Sequence, residues 1–300
     1  MWAASVLVFA GTEVLPGDVA TAVLGQSATP ETVAAIRKEL NLDRPAAVRY
    51  IEWLFGLLRG EMGNSLSTGR SVASIITDWL GNTLLLALLT ALIAVPVSLT
   101  LGLISAAFPD SPVDRTISVI SLVGVSLPEF FTGVLLVFIF AVYLQLLPAV
   151  SSVSDFTTTT QHMRVLILPV LTLTISILAH MTRMTRTAIL DVLRTDYVEM
   201  AILKGVSKKR IILRHALPNS LGPIINVIAI NLGYLISGVV VVEAIFAYPG
   251  LGRLVIDAVS FRDIPLVQGT AMIFCVFYIG INLLADLLVL ITNPRLRIEK

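Results

Sequence analysis

Glu129 sits between Pro128 and Phe130 inside a long apolar run. A carboxylate at membrane depth is costly and usually faces a cavity or a partner group. Two readings stand for it: it lines a pathway and meets the amine of a passing solute, or it pairs with another helix or subunit. Asn282 and Asp286 lie one helical turn apart in the last apolar run, where a structural hydrogen bond suffices. His180 and Arg183 close another run, where snorkelling to the interface explains them. The single cysteine, Cys275, lies in an apolar run and reads as a small buried hydrophobe; no intrachain disulfide is possible. No His, Cys or carboxylate cluster has metal-ligand spacing, no catalytic constellation is visible, and there is no G-x-x-x-x-G-K-S/T phosphate loop. Recognition, rather than bond-making, is the chemistry left, and no cofactor is implied.

The elements that position these residues are membrane helices. Apolar residues make up 56% and charged residues 14% of the 300, and mean hydropathy is +0.90. Apolar runs of about 20 residues match roughly 30 Å of hydrocarbon, and without barrel alternation the spans must be helical. Five spans are expected: 81–107, 116–147 with a kink at Pro128, 165–182, 221–243 and 266–291. Residues 1–12 are apolar but too short to cross. They suit the outer half of a helix whose inner half is absent from the sequence, as a late start or a truncation would produce. Net charge is +1, which gives no reason to expect nucleic acid.

Lysine and arginine stay on the cytoplasmic side. Residues 183–219 hold eight of them, Arg115 lies in the 108–115 turn, and Arg295, Arg297 and Lys300 lie in the 292–300 tail. These segments are therefore expected in the cytoplasm, with 13–80, 148–164 and 244–265 outside. The 13–80 segment is a helical loop. Thr29-Pro30-Glu31 starts one helix, with Val33, Ile36 and Leu40 on a face. Pro45 starts a second, with Val48, Ile51, Leu54, Phe55 and Leu58 on a face and Gly60 as its stop. These helices either pack on the outer mouth of the bundle or dock an external partner.

Between two oily runs lies DYVEMAILKGVSKKRIILRHALPN, Asp196 to Asn219. Ile189, Val192, Leu193, Met200 and Leu203 fall near one helical stripe. Gly205 supplies a left-handed residue that ends a helix, and Ser207 is placed to cap the next, with Val206 and Ile211 as a hydrophobic staple. The second helix is expected to stop at Pro218. A loop that is basic only for topology needs no such apolar faces. Short helices with unpartnered apolar faces dock into grooves on other proteins.

This stretch resembles the "EAA" coupling loop of ABC-importer permeases: E-A-A, three residues, G, nine residues, I-x-L-P. Glu199, Met200 and Ala201 hold the triplet, Gly205 the glycine, His215 the isoleucine position, and Leu217-Pro218 the close. Met200 and His215 depart from the pattern, while the spacing holds. Leu15–Asp18 (LPGD), Gly60–Leu66 (GEMGNSL), Ser126–Leu136 (SLPEFFTGVLL), Val239–Gly269 and the closing NLLADLLVLITNPRLR are similar to the dipeptide/oligopeptide/nickel branch of these permeases. The resemblance covers essentially the whole chain.

The resemblance implies an all-α integral membrane protein, a type I importer (MetI-like) helix bundle with a cytoplasmic coupling-helix pair, in a bacterial or archaeal cytoplasmic membrane. It implies ATP hydrolysis on two separate cytoplasmic ATPase subunits. Their grooves would receive Asp196, Tyr197, Glu199, Ala201, Lys204, Gly205, Ser207, Leu217 and Pro218, with Glu199 contacting the partner or pairing with Lys204 or a nearby arginine. The basic residues here also suit lipid phosphates. It implies a second, similar permease across the translocation pathway, with Pro128, Glu129 and Phe130 as lining candidates. An extracytoplasmic solute-binding protein would deliver solute to the outer face. There Glu243, Pro249, Gly250 and Gly252 would serve as a gate or docking loop; from the residues alone, 247–252 is a turn with glycines for tight geometry. A nickel solute would have to be recognised on another chain.

Two other classes compete. A secondary transporter driven by an ion gradient calls for inverted repeats and several ionisable residues at midplane; no clear repeat is visible and Glu129 stands nearly alone. A membrane enzyme needs a catalytic constellation, and none is visible.

Overall fold

The computed structural model describes residues 1–14, 21, 29–39, 43–151 and 159–292, without the side chains of 35, 36, 39, 159–162 and 292. The LPGD segment, Leu40, the side chain of Ile36, part of the 148–164 loop and most of the 292–300 tail lie outside the described residues. Among the described residues the secondary structure is helical apart from one isolated bridge, Asn64 to Ser71. The helices are α1 (Trp2–Val14), α2 (Pro30–Glu39), α3 (Ala46–Leu58), α4 (Val72–Ala107), α5 (Pro112–Ser126), α6 (Glu129–Leu136), α7 (Thr159–Leu193), α8 (Asp196–Leu203), α9 (Lys208–Arg210), α10 (Leu217–Asn219), α11 (Leu221–Ile245), α12 (Leu251–Ser260) and α13 (Ile264–Thr292). Four helices, α4, α7, α11 and α13, are long and apolar enough to cross a membrane, and a fifth crossing exists if the bent pair of Pro112–Ser126 and Glu129–Tyr143 counts as one.

The chain divides into two compact units. One comprises Met1–Leu84 and Pro249–Ile279. In it, α1 docks on α3: Phe9 meets the Tyr50 ring edge-on at 5.4 Å and Trp53 at 5.8 Å, and Arg49 holds Glu13 with two bonds of 2.7 and 2.6 Å. α2 starts as expected: Thr29 and Thr32 cap each other reciprocally, each side-chain oxygen accepting from the other's backbone N–H. α3 starts after Pro45 and is closed by Gly60 at φ 82°. The core is Val72, Ile75, Ile76, Leu251, Leu254 and Leu266. Asp263, fully buried, opens α13 and gathers the 65–68 turn: its Oδ2 accepts from Ser65 Oγ at 2.5 Å, Ser67 Oγ at 2.8 Å and Ser67 N–H at 3.1 Å.

The other unit comprises Leu85–Tyr248 and Gly280–Lys300. Here α7 packs on α5, α6 and α11. Its core holds Leu86, Leu166, Leu173, Met181, Val239 and Phe246. Small residues let the helices approach: a Cβ on Gly102 or Gly124 would meet Thr185 at 2.7 Å or Ala179 at 2.8 Å.

Several expected boundaries change. α4 begins at Val72 rather than 81, and α5 at Pro112, so Arg115 is helical rather than in a turn. Pro128 does more than kink a helix. α5 ends at Ser126, Leu127 is extended (φ −91°, ψ 122°), and α6 leaves after Pro128 on an axis turned by 99°. The residue before a proline is driven from the helical region, which splits the segment in two. α7 runs past 182 to Leu193, so His180 and Arg183 lie inside a helix instead of closing one. The apolar stripe is therefore divided: Ile189, Val192 and Leu193 belong to α7, while Met200 and Leu203 are exposed on α8. Thr195 makes the break by turning its hydroxyl back to the Val192 carbonyl (2.6 Å).

Candidate functional site

The first candidate is the elbow from Thr195 to Asn219. α8 ends in two nested bonds, from Gly205 N–H to Ile202 O (2.9 Å) and from Val206 N–H to Ala201 O (3.1 Å). Both are satisfied because Gly205 sits at φ 75°. A Cβ there would touch nothing within 4 Å, so the demand for glycine is conformational, not spatial. Of α8 only Val198 is buried; Asp196, Tyr197, Glu199, Met200, Ile202 and Leu203 are exposed and Ala201 is half-buried. Among the described residues Glu199 forms no ion pair, with Lys204 or any arginine, so the expected brace within the elbow is not formed.

Ser207 holds the capping position with extended backbone, but its side chain makes no capping bond. The chain then runs through α9, a π-helical turn (Ile211–Ala216) and α10 into α11. Pro218 does not stop the helix. It falls in the first turn of α10, where its missing N–H goes unused, and the preceding π turn absorbs the change of register. The His215 carbonyl accepts instead from Asn219 Nδ2 (2.7 Å) and from Tyr197 Oη (3.2 Å), which ties α8 to the turn. Lys208 Nζ lies 5.2 Å from the Phe108 ring centroid.

The second candidate is a cavity of about 400 Å³ lined by Glu129, Ser176, His180, Asn231, Tyr234 and Ser237. Glu129, in the first turn of α6, accepts from Ser176 Oγ at 2.8 Å. Gly238 makes room for it: a Cβ there would stand 2.6 Å from Glu129 Oε2. Pro128 and Phe130 are exposed and do not line this cavity. A neighbouring cavity of about 730 Å³ shares His180 and continues along Arg183, Thr187, Asp191 and Thr195.

Residues 98–298 match the family described as binding-protein-dependent transport system inner membrane component, and residues 1–87 match its N-terminal membrane component. The chain belongs to this family. It is 38% identical over 295 residues, 98% of its own length and 94% of the relative's, to a peptide transport system permease of Brucella abortus (strain 2308). It is 37% identical over 296 residues (97% and 93%) to a peptide ABC transporter permease of Sinorhizobium fredii (strain NBRC 101917 / NGR234). It is 36% identical over 293 residues (98% and 93%) to the glutathione transport system permease GsiC of Salmonella choleraesuis (strain SC-B67). A chain of the inward-facing MetNI methionine ABC transporter superposes with a TM-score of 0.60 at 18% identity, covering 73% of this chain and 96% of that one. The fold is thus that of an ABC-importer permease, a multi-pass inner-membrane transport protein rather than an enzyme. The ion-gradient alternative draws no support from the family match.

The remaining expected sites of this permease fall on both sides of a unit boundary. Glu243 is fully buried in α11, in one unit, while Pro249, Gly250 and Gly252 lie in the other. Neither glycine is left-handed. Gly250 is extended (φ −123°) and Gly252 lies buried in α12; the left-handed residue is Ala247, at φ 49°. The Pro249 carbonyl accepts from Asn82 Nδ2 (2.8 Å) and the Leu251 N–H donates to Thr83 Oγ1 (2.7 Å). Burial, and next the Glu243 carboxylate, push the Tyr248 phenol well above its ordinary range, so it stays neutral.

Sequence reasoning passed over Asp114, almost fully buried, which binds Arg186, Ser105 Oγ and the Asp110 N–H (2.9 Å). The Ser111-Pro112-Val113-Asp114 helix start was a readable signal for a capping acid, and Ser111 Oγ does accept from Asp114 N–H. The Arg186 partner, 72 residues away, left no local trace.

Proposed function

We propose that this chain is one of two permease subunits of an ATP-driven, binding-protein-dependent importer for short peptides or closely related solutes. Solute crosses between it and a second, similar permease. Two ATPase subunits seat the elbow on the cytoplasmic side, where the C-terminus also lies. A solute-binding protein delivers cargo to the outer face, for which 13–80, 148–164 and 244–265 are the candidate surfaces. The peptide class is supported by the names of relatives that align over nearly the full length.

The observation that carries the coupling role is the elbow. Gly205 closes α8 with both terminal bonds made, while Tyr197, Met200, Ile202 and Leu203 are left exposed beside Glu199, which forms no ion pair among the described residues. Apolar side chains on a short, rigid helix fit a groove on a partner. A bonded corner also transmits displacement where a slack loop would not. Glu129 lines the pathway from the cavity beside α7 and α11.

The test is co-purification of this chain with its ATPase, and solute-stimulated ATP hydrolysis, for wild type and Gly205→Pro. Proline removes the N–H that bonds Ile202 O and cannot adopt positive φ. Wild type retains the ATPase and the variant loses it or its stimulation. A wild type that binds no ATPase, or a variant that couples normally, rejects the elbow as the coupling element.

A further inference from the structure

The two cavities beside α7 share His180 and carry opposite charges along one helical face. Ser176, His180, Arg183, Thr187 and Asp191 follow at intervals of four, three, four and four residues, the repeat of a single face. Glu129 is fastened at the level of Ser176 by its 2.8 Å bond. Arg183 lies seven residues further along α7, about 10 Å at helical rise. Among the described residues neither Glu129 nor Arg183 forms an ion pair, and Asp191, two turns beyond, does not reach Arg183. Glu129, half-buried, and Arg183, exposed, each face one of the two cavities and are open to a solute that enters them.

We propose that this face is a transit site for a short zwitterion, with the solute's ammonium at Glu129 and its carboxylate at Arg183. Three extended residues span about 10 Å, so a di- or tripeptide bridges the two charges with its backbone beside His180. Ser237, next to Gly238 at the Glu129 end, and Tyr234, three residues before it on α11, are exposed and supply hydrogen-bonding groups in the cavity. Gly238 has a specific part: any side chain there would displace the Glu129 carboxylate. The proposal rests on the reading of this chain as a peptide-class importer. It adds that the permease itself, and not only the binding protein, discriminates by terminal charge.

The experiment is ATP-driven uptake into proteoliposomes holding the whole importer with its binding protein. The probes are Ala-Ala, N-acetyl-Ala-Ala (no ammonium) and Ala-Ala-amide (no carboxylate). Because the same binding protein serves every permease variant, its own preferences cancel in the comparison. Glu129→Gln is expected to shrink the preference for Ala-Ala over the acetylated peptide, and Arg183→Gln that over the amide, each by about tenfold, the equivalent of one charged hydrogen bond. Both variants also lower Ala-Ala uptake itself. Glu129→Asp and Arg183→Lys, which keep the charges, retain the wild-type preferences and exclude misfolding as the cause. Neutral variants with wild-type uptake and wild-type preferences overturn the transit site and leave the importer reading standing. A wild-type importer that hydrolyses ATP in response to its binding protein yet takes up no Ala-Ala overturns the peptide reading, and this site with it.

Discussion

Arg186 grips the Asp114 carboxylate with Nε and Nη2, each at 2.7 Å, and so joins α7 to the start of α5. Ser105 and the Asp110 N–H bind the same carboxylate, so every donor around Asp114 is aimed at an acceptor. Removing Asp114 leaves Arg186, half-buried, without its partner, and leaves the Ser105 hydroxyl and the Asp110 N–H without their acceptor. Asp114→Ala is expected to destabilise the protein by about 3 kcal/mol, read as a lowered Tm in detergent. The exchanged pair Asp114→Arg with Arg186→Asp is not expected to recover it, since the Ser105 hydroxyl and the Asp110 N–H would then face a cation. Full recovery by the exchange would show that the pair acts through charge alone.

Gly205 and Ala247 make a matched contrast. Both follow a helix end at positive φ, 75° and 49°, and both close the same pair of terminal bonds. A left-handed residue with a Cβ costs roughly 1–2 kcal/mol. Gly205→Ala should therefore lower stability by about 1 kcal/mol, and Gly205→Asn by less. Ala247→Gly should be neutral or stabilising, because it relieves the same strain. Thermal unfolding of the three variants settles this, and a Gly205→Ala protein as stable as wild type would contradict the conformational account.

Local signals carried far in this chain. The starts at Thr29 and Pro45, the stop at Gly60 and the left-handed Gly205 each depend on a few neighbouring residues, and each is where the pattern put it. The failures have a common physical origin. Pro128 and Pro218 act through what their neighbours do: Leu127 leaves the helix, while a π turn before Pro218 lets the helix continue. Periodicity could not separate α7 from α8, because Thr195 ends α7 with a side-chain bond that leaves the apolar spacing undisturbed. Glu129 was legible as a residue out of place, but its partners Ser176 and Gly238 come from helices distant in sequence.

Asp263 holds the 65–68 turn through three bonds to one carboxylate oxygen. Bonds to a charged group contribute about 1.5–3 kcal/mol each, so Asp263→Ala is expected to cost at least about 3 kcal/mol. The first consequence should be local, since the freed turn carries exposed Arg70, whose ion pair is with exposed Asp78. Limited trypsin digestion of the variant should cut at Arg70 well before wild type is cut there. Asp263→Asn, which keeps an acceptor, should show a smaller effect. Equal digestion of all three proteins would mean that the turn is held by its own internal bonds.

Val198 and Tyr197 are neighbours on α8 with opposite duties. Val198 is fully buried, whereas Tyr197 is 43% exposed and makes one bond of 3.2 Å to the His215 carbonyl. Val198→Ala removes two methyl-sized groups from a packed site and should cost about 2 kcal/mol. Tyr197→Phe loses one solvent-accessible hydrogen bond, and the carbonyl keeps its bond from Asn219, so the cost should stay under about 1 kcal/mol. If the exposed face of α8 meets the ATPase, Tyr197→Ala should weaken co-purification of the ATPase while leaving the Tm of the isolated permease almost unchanged. Val198→Ala should do the reverse, lowering Tm first. A Tyr197→Ala variant that lowers Tm as far as Val198→Ala would place Tyr197 in the fold of the elbow rather than at its docking face.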